Sequence, residues 1–249
     1  MPELPEVETI ARQLRGLVVD RTISEFESRW VRLTEPEPAE VVGARLRGRR
    51  ISDVRRRGKF VVFDLDGGDA LVVSLRMTGK LLFGVDDVDE RYVRGDITFA
   101  DGSVLRFSDT RKFGRMAVID AAALDAVVDR RPKMPLHSSL GQEPLARGFT
   151  VAWLGALLRR RPRAAIKPLL LDQRAIAGIG NIYAIEALWR ARTARSPRGA
   201  RWQLGQWNVP RPPTTVRTIA RPHRGHGSPA RPYTWNSRCM RPLLPRAST

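Results

Sequence analysis

The sequence predicts an α+β protein: a leading helix, a β-sandwich or flattened barrel, a helical unit, and an irregular Arg/Pro-rich tail. Three observations carry this. Leu4, Val7, Ile10, Ala11 and Leu14 recur at helical spacing, so one face of the first element is buried. From about 51 to 119, short apolar runs alternate with Gly and Asp punctuation, as strands and hairpins do. Beyond 121 the period becomes helical in "AAALDAVVD", "TVAWLGALLRRR", "AAIKPLLLDQ" and "NIYAIEALWRAR".

The first element opens "MPELPEVETI". Pro5 suits a first helical position, where its missing N–H costs nothing, and Glu6 and Glu8 favour the positive end of the helix dipole. Capping leaves Pro2 and Glu3 unexplained. With the initiator Met removed, Pro2 is a free secondary amine beside a carboxylate, a nucleophile next to a proton donor. In the β region, "DLDGGDAL" reads as a hairpin connection, and "DITFADGSVLRFSD" as a cleaner one turning at Asp101-Gly102. The sandwich spans about 15–119, within a first domain of 1–130. "RRPKMPLHSS" is a Pro-bearing linker, with the junction near 130–138, and a helical domain of 138–193 follows. A cleft between the two is a usual place for a site.

Charge points to a partner. The 249 residues carry 44 Lys+Arg against 26 Asp+Glu, a formal +18, which repels itself unless it meets a polyanion such as nucleic acid. The excess is uneven: residues 187–249 hold 13 Arg and no Lys, Asp or Glu, leaving +5 for the rest. No apolar run approaches the roughly 18 residues of a spanning helix, so no membrane partner is expected. The acidic start is a poor signal-peptide n-region, and one cysteine, Cys239, permits no intrachain disulfide. A cytoplasmic monomer is the default. The tail, 194–249, lacks sustained periodicity and aliphatic content; disorder is expected there.

Four stretches could carry chemistry. "RRRGKF" places Lys59 just after a turn glycine, either as solvated surface or as a phosphate contact. "SLRMTGK" sets Met77 on a glycine-edged loop, as core filler or as a wedge between base pairs. "FSDTRKFG" offers Arg111, Lys112 and Phe113 on a short turn, basic residues beside an aromatic that could occupy a vacated base position. "GIGNIYA" puts two glycines and Asn181 before a helix, whose first N–H groups could bind phosphate or simply form a capped turn.

Together, "MPELPEVET", the lysine in "RRGK", "LRMTGK", "DTRKFG", "LGQEPL" at 140–145 and "IKPLLLDQRAIAGIGNIYAIEALWRAR" closely resemble the bacterial formamidopyrimidine-DNA glycosylases, relatives of endonuclease VIII. The resemblance covers about 1–193. It implies excision of oxidised purines from duplex DNA and cleavage of the abasic site, with no cofactor in the chemistry. Pro2 is then the nucleophile, Glu3 the general acid, and Glu6 a positioning carboxylate. Lys59 and Asn181 match phosphate-binding positions, and Lys112 and Lys167 fall on the DNA-binding side. Met77, Arg111 and Phe113 match the residues that fill the gap left by a flipped nucleotide. The last quoted string matches the family's helix–two-turns–helix motif.

Three departures stand out. Ser74 occupies a position where the family commonly has a phosphate-contacting histidine. The family's C-terminal zinc ribbon needs four thiolates; Cys239 with His223 and His226 cannot supply them, so structural zinc is expected to be absent. The match stops where "ARTAR" stands in place of the expected "ARIHP", and the tail beyond it reads as out-of-frame coding from GC-rich DNA, with a genuine variant as the alternative. Two alternatives stay open: a relative that binds DNA or abasic sites without turnover, and an endonuclease VIII-like enzyme for oxidised pyrimidines.

Overall fold

A computed structural model of the chain describes residues 2–85, 87–122 and 140–191. The linker near 130–138, most of "AAALDAVVD", the tail, and with it Cys239, His223 and His226, lie outside the described residues.

Helix α1 (Leu4–Val18) buries Leu4, Val7, Ala11, Leu14 and Val18, the stripe its periodicity predicts. Its cap differs from expectation. Glu3 is the N-cap and its N–H donates to Glu6 Oε2 at 3.0 Å, so Pro5 stands at the second helical position rather than the first. Proline fits there for the same reason, since that N–H has no intrahelical partner.

Eight strands follow among the described residues: β1 (Ile23–Ser28), β2 (Ile51–Arg57), β3 (Phe60–Leu65), β4 (Asp69–Ser74), β5 (Lys80–Phe83), β6 (Val93–Phe99), β7 (Val104–Ser108) and β8 (Arg115–Asp120). They form two antiparallel sheets, β1-β6-β7-β5 and β2-β3-β4-β8. Both predicted hairpins are present, β3–β4 across Asp66-Gly67-Gly68 and β6–β7 across Asp101-Gly102. Phe63, Leu71, Leu81, Ile97, Phe99 and Phe107 fill the space between the sheets. Strands β3 and β4 are apolar on both faces, because Val62, Ala70, Val72, Ala117 and Ile119 make a second buried layer outside. That is why "FVVF" and "ALVV" are continuous apolar runs rather than alternating ones.

A second helix, α2 (Ala39–Leu46), interrupts the stretch read as strands. Its signals are short: Pro38 before it, Glu40 in the first turn, Arg45 in the last. It packs against β1 and β8, while α1 packs against β2, β3 and β5, so the two helices close opposite open sides of the sandwich.

The second unit contains α3 (Val151–Arg160), α4 (Ile166–Leu171) and α5 (Asn181–Arg190). Leu169, Leu170, Ile176, Ala184 and Leu188 form its own small core, with Trp153 and Phe149 packed on the rim. No described helix is long and apolar enough to cross a membrane.

Leu14 is fully buried between α1 and the sandwich. Leu14→Ala is expected to cost about 2–5 kcal/mol in chemical denaturation, while exposed Thr9→Ala changes stability by less than about 0.5 kcal/mol.

Candidate active site and nucleic-acid interface

The chain's first residues are held against the start of α5. Glu3 is only 3 % exposed, and its carboxylate accepts N–H bonds from Gly180 (3.0 Å), Ile182 (3.0 Å) and Tyr183 (3.2 Å). The Leu4 N–H adds a bond to the Gly178 carbonyl at 3.1 Å. This revises the sequence reading of "GIGNIYA". The N–H groups expected to cradle a phosphate are taken by a carboxylate of the chain itself, which satisfies the same donors and the same positive helix end. Gly180, not Asn181, is the N-cap of α5; Asn181 is its first residue and is exposed.

Glu6 lies beside this joint. Its Oε1 accepts the Tyr183 hydroxyl at 3.1 Å and its Oε2 the Glu3 N–H. Burial, then the charge of Glu6, push the Tyr183 phenol above its ordinary value, so it stays a donor. Tyr183 was not identified from sequence; its place in the first turn after "GIGN" is the one signal that could have found it. Pro2, immediately before Glu3, is half-buried.

Lys59 reaches the same group from the β2–β3 turn. Gly58 supplies the left-handed conformation that turn requires, with φ +59°. Glu143, from "LGQEPL", fastens the turn: its Oε1 accepts the Gly58 N–H at 2.6 Å and Arg57 at 2.9 Å, and its Oε2 pairs with Arg56 at 2.7 Å. Arg56, whose side chain is 5 % exposed, also pairs with Glu8 on α1 at 2.9 Å. Burial pulls the Lys59 ammonium below the ordinary lysine value, while Glu3 and Glu6 act to raise it. Glu3, Glu6, Tyr183 and Lys59 therefore converge, with Pro2 next to Glu3 in the chain and Asn181 exposed between Gly180 and Ile182, whose N–H groups bond Glu3. Lys167 is half-buried in α4, and no described hydrogen bond joins it to them.

The remaining predicted residues gather elsewhere, on two loops of the sandwich. Met77 is 44 % exposed and Phe113 48 %, so neither is core filler. Arg111 and Lys112 are exposed, and the Arg111 guanidinium sits 5.0 Å from the centre of the Phe113 ring. Ser74, at the family's histidine position, is buried at the end of β4 opposite Arg115 and reaches no surface.

Two outcomes follow from this geometry. A Cβ at Gly180 would collide with the Glu3 carboxyl group, so Gly180→Ala is expected to lose on the order of 1–3 kcal/mol in chemical denaturation, the cost of breaking a buried charged cap. Lys59 has a folded-state pKa below the ordinary 10.5, so its contribution to stability is full above that value and is lost as pH falls through the lowered one. Lys59→Met should accordingly be more stable than the wild type at about pH 7, with the gap closing as pH approaches 10.5.

Residues 1–116 match the formamidopyrimidine-DNA glycosylase N-terminal domain and residues 140–207 the formamidopyrimidine-DNA glycosylase H2TH domain. The formamidopyrimidine-DNA glycosylase of Chloroflexus aurantiacus is 46 % identical over 197 residues, 77 % of this chain and 66 % of that protein. That of Heliobacterium modesticaldum is 41 % identical over 198 residues, 77 % of this chain and 68 % of that protein. The chain thus spans about two thirds of the length of these relatives. Among solved structures, the Lactococcus lactis Fpg bound to DNA containing an abasic site has a TM-score of 0.64 and 30 % identity, over 76 % of this chain and 67 % of that one. MutM in complex with DNA containing carbocyclic 8-oxo-G gives 0.65 and 31 %, over 77 % and 68 %. With both domains matched in order and relatives above 40 % identity, the chain belongs to the formamidopyrimidine-DNA glycosylase family.

Proposed function

We propose that this chain is a DNA-repair enzyme that excises oxidised purines from duplex DNA and then cleaves the abasic site. The observation that carries the reading is the convergence of Glu3, Glu6, Tyr183 and Lys59 around one joint between the two units, with Pro2 immediately before Glu3 in the chain. The solved relatives, complexes with abasic and 8-oxo-G DNA, support the same substrate class.

The chemistry begins at the α-amine of Pro2, freed by removal of Met1. A free α-amine has a reference pKa of about 7.7–8.0, far closer to neutrality than a lysine's, so a useful fraction is unprotonated. Its lone pair attacks C1′ of the damaged nucleoside. The base departs with the glycosidic electrons and is protonated, and the sugar ring opens to leave an iminium on Pro2. Glu3 serves as general acid toward the ring oxygen or leaving group. The iminium acidifies the C2′ proton; its loss expels the 3′ phosphate, and a second elimination expels the 5′ phosphate. Glu6, bonded to the Glu3 N–H and the Tyr183 hydroxyl, fixes the backbone that carries the amine. Lys59 and Asn181 hold the phosphates that flank the lesion.

No step draws on a cofactor, since the nucleophile belongs to the chain. The family's zinc ribbon does not fit the donor set: the sequence has one cysteine where four thiolates are needed. Damaged duplex DNA is the partner. An intracellular location goes with that partner.

Borohydride reduction on an abasic-site duplex tests the proposal. The wild type is expected to yield a covalent adduct that N-acetylated protein does not form. Glu3→Gln should slow base excision by about 10²–10⁴-fold with DNA affinity little changed. Tight binding with no adduct would instead assign the chain to lesion recognition without turnover.

A further inference from the structure

Met77 and the pair Arg111 and Phe113 lie 34 or more positions apart, yet their loops run side by side for a topological reason. Loop 75–79 carries the chain from β4 in one sheet to β5 in the other, and loop 109–114 returns it from β7 to β8. Ser74 pairs with Arg115 across β4 and β8, and Lys80 pairs with Ser108 across β5 and β7. Both crossings thus start and end at paired residues.

One buried carboxylate joins them. Asp109 is 1 % exposed. Its Oδ2 accepts the Phe113 and Gly114 N–H groups at 2.8 Å each, and its Oδ1 accepts the Arg111 N–H at 3.1 Å and the Thr78 hydroxyl of the other loop. The Thr78 oxygen in turn accepts the Arg111 N–H at 3.2 Å. The Asp109 backbone is pinned as well, its N–H to the Tyr92 carbonyl at 2.8 Å and its carbonyl by Arg94 Nε at 2.9 Å. Each loop also contains a non-glycine residue in the left-handed region, Arg76 (φ 50°) beside Met77 and Lys112 (φ 58°) between Arg111 and Phe113. Such conformations persist only where surrounding bonds over-determine them.

We propose that Thr78 and Asp109 form a latch that makes the two loops one rigid wedge, so that Met77 enters DNA together with Arg111 and Phe113. The proposal rests on the reading that these three side chains fill the place of an everted nucleotide. Asp109 is buried and the Thr78 hydroxyl is spent on it, so both act as positioning residues. A carboxylate suits the task because it is an acceptor only, with room for four donors drawn from both loops. A wedge held this way meets the base stack already ordered, so the entropy of aligning two loops is spent in folding rather than in binding.

The test compares cleavage of an abasic site in a duplex and in the same single strand, which has no stack to open. Thr78→Val keeps the shape and removes the hydroxyl. It is expected to slow duplex cleavage about tenfold, the value of one hydrogen bond to a charged group, with single-strand cleavage within about twofold of wild type. Thr78→Ser should restore the duplex rate. Met77→Ala and Phe113→Ala should each slow duplex cleavage selectively, their combined loss smaller than the product of the two in the wild type and equal to it in Thr78→Val. A Thr78→Val enzyme with wild-type duplex rate, or with equal losses on both substrates, overturns the latch. Equal losses on both substrates for Met77→Ala and Phe113→Ala overturn the wedge reading and the latch with it. The two failures are told apart by which variants show them.

Discussion

The carboxylate of Glu3 at the N-terminus of α5 is the contact on which the site depends. It ties residue 3 to residues 180–183 through three N–H bonds, across almost the whole described chain. A helix start buried without an acceptor would leave orphan donors, and a buried carboxylate without donors would be an uncompensated charge. Each resolves the cost of the other. The position of Pro2 follows directly, because it immediately precedes Glu3 in the chain and the Glu3 and Leu4 N–H groups are also fixed.

The same device recurs at Asp109, where a second buried carboxylate gathers backbone N–H groups of a loop that presents side chains outward. In both places a short polar side chain does from inside what regular secondary structure does elsewhere: it fixes backbone with bonds that water cannot compete for. Loops are the usual home of functional groups but also the most mobile parts of a fold. An internal acceptor reconciles exposure at the tip with order at the base. Met77 and Phe113 stand half-exposed in loops that also hold the buried Leu75 and Asp109, and Asp109 fixes the Phe113 N–H.

Ion pairs make the third connection. Glu143 enters from the second unit and meets Arg56, Arg57 and the Gly58 N–H, while Arg56 continues to Glu8 on α1. Removing one member of such a buried group leaves a charge without a partner, so the turn bearing Lys59 is held by groups that cannot be deleted singly without cost. Lys59 itself is drawn toward two carboxylates and away from water, and the balance leaves its ammonium less favoured than in solution.

Much of this was legible in sequence. The stripe of α1, the hairpin at Asp101-Gly102 and the short apolar runs of β3 and β4 between their Gly and Asp turns are local patterns, properties of neighbouring residues. Lys59 beside its turn glycine and Met77, Arg111 and Phe113 on exposed loops agree with the local reading, whereas Asn181, read as preceding a helix, is that helix's first residue. Helix α2 was hidden because eight residues with paired valines carry too little pattern to be told from a strand. What only the tertiary structure decided is which donor meets which acceptor. Glu3 looked like an acid beside a nucleophile, and its carboxylate also accepts N–H groups of a helix start 177 residues away; Ser74 stands where the family has a histidine and is buried; Asp109 and Thr78 carried no signal of their own in the sequence and bind two loops together. A carboxylate's partners depend on where distant backbone N–H groups arrive after the sheets have paired, and no local spacing records that.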